Sequence, residues 1–183
     1  MLDILVVCTG NICRSPMAAA LIAQRLRAAG VPVNVTSAGL ATADQPADPL
    51  AASAVARHGG DVGEHRSRRL DAAEVAGADL ILGMERLHVR EAVVLERDAW
   101  SRAFTLKELV RRGEAAGARG ADEPVGAWLA RLHLGRQIPD LLGADEEDDI
   151  ADPRGGSPDE YELTAAELDD LITRLVRVMA PPP

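Results

Sequence analysis

Cys8 and Arg14 bracket the run Cys8-Thr9-Gly10-Asn11-Ile12-Cys13-Arg14-Ser15, and a soft nucleophile paired with a planar cation suits the handling of one small tetrahedral anion. The thiolate is the attacking form of cysteine, and a helix N-terminus or a neighbouring cation favours it. Backbone amides of Thr9, Gly10, Asn11, Ile12, Cys13, Arg14 and Ser15 can wrap the anion, while a helix starting at the end of the loop points its positive end at the same spot. Gly10 and Asn11 tolerate the positive φ that inward-turned amides require, and the Ser15 hydroxyl can bond the loop or help the thiolate leave. The chemistry these residues imply is phosphoryl transfer through Cys8.

Such a loop needs a strand before it and a helix after it. Leu2 to Val7 is apolar except for Asp3, as in a parallel strand buried on both faces. After the loop, Ser15 reads as an N-cap with Pro16 at the first helical position, and Ala19, Ile22, Leu26 and Ala29 make one stripe that ends at Gly30. Val31 to Thr36 and Asp79 to Met84 read as further strands, with Leu50 to His58 and Glu85 to Leu95 as helices and Trp100 to Phe104 as a short fourth strand. Thr42 to Pro49, rich in Ala, Asp and Pro, is a loop.

Thr105-x-x-Glu108 and Thr164-x-x-Glu167 are capping-box signatures, each expected to open a helix. Val125, Trp128, Leu129 and Leu132 mark another helix, with the glycines from Gly113 to Gly120 as the turn before it, so that an extra helical pair spans about 105–135 as an insertion. The alternation predicts an α/β fold: one domain over 1–183, an open four-stranded parallel sheet with helices on both faces and flavodoxin-like topology. In such folds ligands gather beyond the carboxyl ends of the strands, where Cys8 stands. Pro181 to Pro183 read as a frayed tail.

The chain has 183 residues, a net charge of -9 and 2% aromatic residues. One core of Leu, Val, Ile and Ala is expected, and the charge opposes nucleic acid and anionic membrane as partners. Two cysteines five residues apart form no secreted disulfide framework, and no cleavable signal is legible, so a reducing cytoplasm is expected. The four histidines lack metal-ligand spacing, and no metal or cofactor is expected. The acidic run Asp145 to Asp149 reads as a solvated loop, and Asp152-Pro153, taken alone, as an ordinary turn.

Val7 to Ala18, Ser37-Ala38-Gly39, His65 with Arg68, Asp79 to Met84 and Asp152-Pro153 together resemble the low molecular weight protein tyrosine phosphatases over most of the chain. The resemblance implies a metal-independent phosphatase of phosphotyrosine-containing proteins, with Cys8 forming a phosphocysteine, Arg14 binding phosphate and Asp152 as general acid and then base. It further implies that Asn11, Ser15, Ser37 and His65 lock the loop, with Asn11 left-handed. Arg154 follows Pro153 where phosphotyrosine-preferring members carry an aromatic residue, leaving Leu40 or Met84 as apolar contacts. Cys13, near Cys8 in the loop, is a candidate partner for a reversible peroxide-induced disulfide.

Other readings share parts of this motif. Protein arginine phosphatases resemble the same family but tend to carry Thr where Ile12 stands, which favours phosphotyrosine here. An arsenate reductase would need an external thiol, since no cysteine exists beyond Cys13 to relay electrons. A non-catalytic phosphate-binding module would have no need of Cys8, Arg14 and Asp152 together. A Mg²⁺-dependent nucleotide site would need the Gly-x4-Gly-Lys-Ser/Thr pattern, which is missing.

Overall fold

The computed structural model describes residues 1–41 and 44–180; the expected tail at Pro181 to Pro183 and part of the Thr42 to Pro49 loop lie outside them. Four parallel strands, β1 (Leu2–Cys8), β2 (Val33–Gly39), β3 (Leu80–Gly83) and β4 (Ala103–Thr105), form one sheet in the order β2-β1-β3-β4. Side chains alternate across a strand, so β1 sends Ile4, Val6 and Cys8 to one face and Leu5 and Val7 to the other. Both faces are covered, which explains why β1 is apolar apart from Asp3 near its start.

On the Ile4 face pack α1 (Arg14–Ala28), α2 (Pro49–Arg57), α5 (Leu106–Ala116), α6 (Val125–His133) and α7 (Pro158–Met179). On the Leu5 face lie α3 (Ala72–Gly77), α4 (Arg86–Leu95) and a 3₁₀ segment at Arg97–Arg102. The expected α/β architecture is present. No described helix is long and apolar enough to cross a membrane.

Several local expectations are corrected. Ser15 does not cap α1: Cys13 holds that position without a side-chain bond, and Ser15 lies in the first turn with its hydroxyl turned into the loop. The second strand is displaced to Val33–Gly39 because pairing with β1 carries it on until Gly39 lies opposite Cys8. The fourth strand shrinks to Ala103–Thr105, its predicted first half being 3₁₀. α3, too short for a clear period, went unread.

Thr105 caps α5 through the Glu108 amide, yet the Glu108 carboxylate turns away to Arg112 and Arg136 instead of closing the box. Thr164 opens nothing: α7 begins at Pro158 under a complete Ser157/Glu160 capping box, and Thr164 bonds back to the Glu160 carbonyl inside the helix. Gly113 belongs to α5, where a Cβ would stand 2.9 Å from Val178 Cγ2 and 3.3 Å from the Trp128 ring. The turn comes at Gly117, with φ +86°.

The expected helical pair is present as α5 and α6 and packs into the main core, where Leu106, Leu109, Val110, Trp128, Leu129 and Leu132 are buried. Behind it the Arg136 guanidinium lies 3.9 Å from the ring centroids of both Trp100 and Phe104 and bonds Glu108 through Nε and Nη2. A buried charge paired and stacked in this way fixes the segment after α6 on the sheet.

Candidate active site

β1 has β2 on one side and β3 on the other, so the chain order reverses between β1 and β3. The loops leaving those two strands therefore face each other across a crevice at the carboxyl end of the sheet. The first is the Cys8 loop. The second is Met84-Glu85, leading into α4.

Cys8, 2% exposed, closes β1. Its Sγ receives the Asn11 N–H at 3.2 Å and stands 3.0 Å from Ser15 Oγ. Ser15 Oγ already accepts from Asn11 Nδ2 at 2.8 Å, which leaves the Ser15 hydroxyl hydrogen for the sulfur. Two donors thus converge on one sulfur. The positive end of α1 begins six residues on, at Arg14.

Asn11, fully buried and at φ +51°, holds the loop from inside. Its Nδ2 also donates to Ser37 Oγ at 2.9 Å, its Oδ1 accepts the Arg68 N–H at 2.8 Å, and its carbonyl accepts from His65 Nε2 at 2.7 Å. A carbonyl partner requires a proton on Nε2, which fixes the His65 tautomer. Burial, assisted by the Arg68 charge and opposed by the Asn11 bond, keeps the His65 pKa below the usual histidine range. Asn11, Ser15, Ser37 and His65 are thus brought into one network.

Arg14 is 1% exposed. Its Nη1 is bonded to Glu85 and, at 2.9 Å, to the Ile150 carbonyl; its Nη2 meets Asp152 Oδ2 at 2.7 Å. The buried Nε–H has no hydrogen-bond partner among the described residues. An orphaned donor at this depth costs about 1–3 kcal/mol, a cost an incoming oxyanion would remove. Asp152 reaches this site from 138 positions away, half-exposed, with its Oδ1 accepting the Arg154 N–H at 3.2 Å.

Sequence reading missed three contributors. Glu85 grips Arg14; His88, fully buried in the first turn of α4, lies 3.0 Å from Thr9 Oγ1; and Tyr161 on α7 reaches Cys13 Sγ at 3.7 Å and Asp48 at 3.0 Å. The first two were findable, because the polar residues after the third strand of such a sheet face the loop after the first. Burial first, then the Arg14 charge, hold the His88 imidazole down to about 3, so it is neutral. Burial likewise pushes the Cys13 thiol up to about 11, which separates it in character from the doubly donated Cys8.

Two expected features are changed. Met84 is fully buried and offers no surface to a substrate, which leaves half-buried Leu40 and Ile12 as the apolar rim. The run Asp145 to Asp149 is not simply solvated: Asp148 is buried and held by Arg86 and Arg111, while Asp149 accepts from the Arg86 amide. Burial alone would raise the Asp148 pKa, but the two arginines outweigh it and lower it. The run is a cross-linked strap that delivers Ile150 and Asp152 to Arg14.

Residues 3–127 match the model of the low molecular weight phosphotyrosine protein phosphatases, and the chain belongs to that family. It is 46% identical over 107 residues to the probable low molecular weight protein-tyrosine-phosphatase EpsP of Ralstonia solanacearum, covering 58% of this chain and 71% of that protein. It is 32% identical over 178 residues to the protein-arginine-phosphatase of Bacillus subtilis, covering 96% and 95%. Its fold superimposes on the low molecular weight protein tyrosine phosphatase of T. tengcongensis with a TM-score of 0.72, 30% identity and coverage of 97% and 99%.

Proposed function

We propose that the protein hydrolyses phosphotyrosine in proteins through a Cys8 phosphocysteine. The carrying observation is the Cys8 sulfur held by two donors at the mouth of a loop whose buried arginine keeps an N–H without a partner among the described residues. In the first step the Cys8 thiolate attacks phosphorus, the ester P–O bond breaks and Asp152 gives its proton to the departing phenolate oxygen. In the second, Asp152 takes a proton from water as the water oxygen attacks phosphorus, the P–S bond breaks and phosphate leaves. The Ser15 hydroxyl then receives the restored thiolate.

Arg14 and the loop amides from Thr9 to Ser15 bind the phosphoryl oxygens, and an entering phosphate takes Arg14 Nη2 over from Asp152, freeing that carboxyl for the leaving group. No step calls for a metal. Two free thiols suit a reducing cytoplasm.

The relative that aligns over nearly the whole chain is named an arginine phosphatase, which makes phosphoarginine the competing substrate. Half-buried Ile12 on the rim favours an aryl ring over a guanidinium, which would need polar partners there. Assays with chelator present, using an aryl phosphate, phosphotyrosine, phosphoserine and phosphoarginine peptides, and arsenate with thiol, test the reading. Highest kcat/KM on phosphotyrosine is expected; preference for phosphoarginine or arsenate overturns it, and activity on none leaves a binding module.

A further inference from the structure

Arg154 follows the Asp152-Pro153 corner and is exposed. Its Nη1 lies 3.9 Å from the point where a Cβ on Gly10 would stand, and the Ile12 side chain comes within 3.5 Å of the same point. The guanidinium therefore lies beside the phosphate loop at Gly10. Among the described residues no carboxylate pairs with it and its side chain has no hydrogen bond. Asp152, the nearest carboxylate in sequence, is held by Arg14, while Asp145 and Asp148 are held by Arg86.

In a chain of net charge -9, an unneutralised cation at the edge of an anion site is positioned to attract a second negative group beside the phosphate. Asp152 also lines a cavity of about 790 Å³ with Glu85, Asp145, Glu146, Asp149 and Glu167, where Lys107 is the one cation among the described residues. Lys107 is itself held by Glu167 and by the carbonyls of Glu146 and Asp149. Glu85 is paired with Arg14, Asp145 with Arg86 and Glu167 with Lys107, so the charges there are largely compensated, whereas Arg154 has no carboxylate partner among the described residues.

We infer that Arg154 is a specificity-determining residue, selecting phosphotyrosine segments with an Asp or Glu on one side of the phosphorylated residue. This rests on the phosphatase reading above. An exposed Arg–carboxylate contact gives up to about 1 kcal/mol, about a two- to fivefold preference, and salt screens it.

The test measures kcat/KM for four phosphotyrosine peptides, neutral, acidic before the phosphotyrosine, acidic after it, and basic, with a small aryl phosphate for normalisation. Wild type, Arg154→Ala and Arg154→Glu are compared with Arg177→Glu, the same charge reversal on α7 about 30 Å along the helix from Pro158. Wild type is expected to prefer one acidic peptide about two- to fivefold over the neutral one at low salt. Arg154→Ala should erase that ratio, Arg154→Glu should invert it toward the basic peptide, and Arg177→Glu should keep it.

Unchanged ratios in the Arg154 variants overturn the inference. So does a fall shared equally by every peptide and the aryl phosphate, which would make Arg154 a phosphate contact. Equal wild-type rates on all four peptides defeat the Arg154 role alone, whereas no wild-type turnover of any aryl phosphate defeats the phosphatase reading itself.

Discussion

At the scale of single residues, the site separates two cysteines of one loop by what touches them. Cys8 receives an amide and a hydroxyl, and Cys13 is buried against Tyr161. Only the first is prepared as a nucleophile, so Cys8→Ser is expected to abolish turnover. Asp152 is half-exposed and bonded to Arg14, placed to reach a leaving oxygen once phosphate displaces it. A positioned acid contributes about 10²–10⁴-fold when the leaving group needs a proton and little when it does not. In steady-state kinetics across aryl phosphates of graded leaving-group pKa, Asp152→Asn should lose most on the poorest leaving groups; a uniform loss would remove Asp152 as the acid.

At the scale of elements, β2 does more than flank β1. A Cβ on Gly39 would stand 2.8 Å from Asn11 Cβ and 2.9 Å from both Asn11 N and Thr9 O. Backbone on backbone cannot yield, so the strand end and the phosphate loop touch only because residue 39 has no side chain. Gly39→Ala is expected to push the loop off its geometry, costing about 1–3 kcal/mol of stability and a larger share of kcat than of substrate binding. Urea unfolding beside kinetics checks this, and a variant with wild-type kcat would show that the loop tolerates the added methyl. The strap from Asp145 to Asp152 acts in the same way from the other side, since its ion pairs to Arg86 and Arg111 bring Ile150 and Asp152 to Arg14.

At the scale of the whole molecule, the imidazoles of buried His88 and half-buried His65, both with lowered pKa, make stability depend on pH. The His88 pKa is lowered to about 3 in the fold and rises to its ordinary 6.5 on unfolding. Between those values the unfolded chain binds the extra proton, so stability is full above pH 6.5 and is lost progressively as pH falls toward 3. By pH 5 His88 alone accounts for about 2 kcal/mol. Urea denaturation of the wild type and of His88→Asn at pH 7 and pH 5 should show the smaller drop in the variant; equal drops would place the acid sensitivity elsewhere. His65, also lowered, adds in the same direction.

By itself the sequence determined the phosphate loop, the buried central strand before it, the helix after it and the α/β class, because each is written in local residue order: an apolar run, positive-φ residue types and a helical stripe. It determined, too, that Asn11, Ser15, Ser37 and His65 belong together, though only through likeness to a family, since 54 positions separate Asn11 from His65. Tertiary structure alone decided the rest. Glu85 and His88 join the site because the sheet order turns the loop after β3 toward the loop after β1, and Asp152, which likeness to the family also names, meets Arg14 because the segment before it is ion-paired to Arg86 on α4 and Arg111 on α5. Ser15 looked like a cap because capping is a local rule, but a sulfur three ångströms away made the better partner. Contacts that close long loops leave no period or spacing in the chain; they are settled by packing, and packing is where this site acquires Glu85, the neutral His88 and the contact between Arg14 and Asp152.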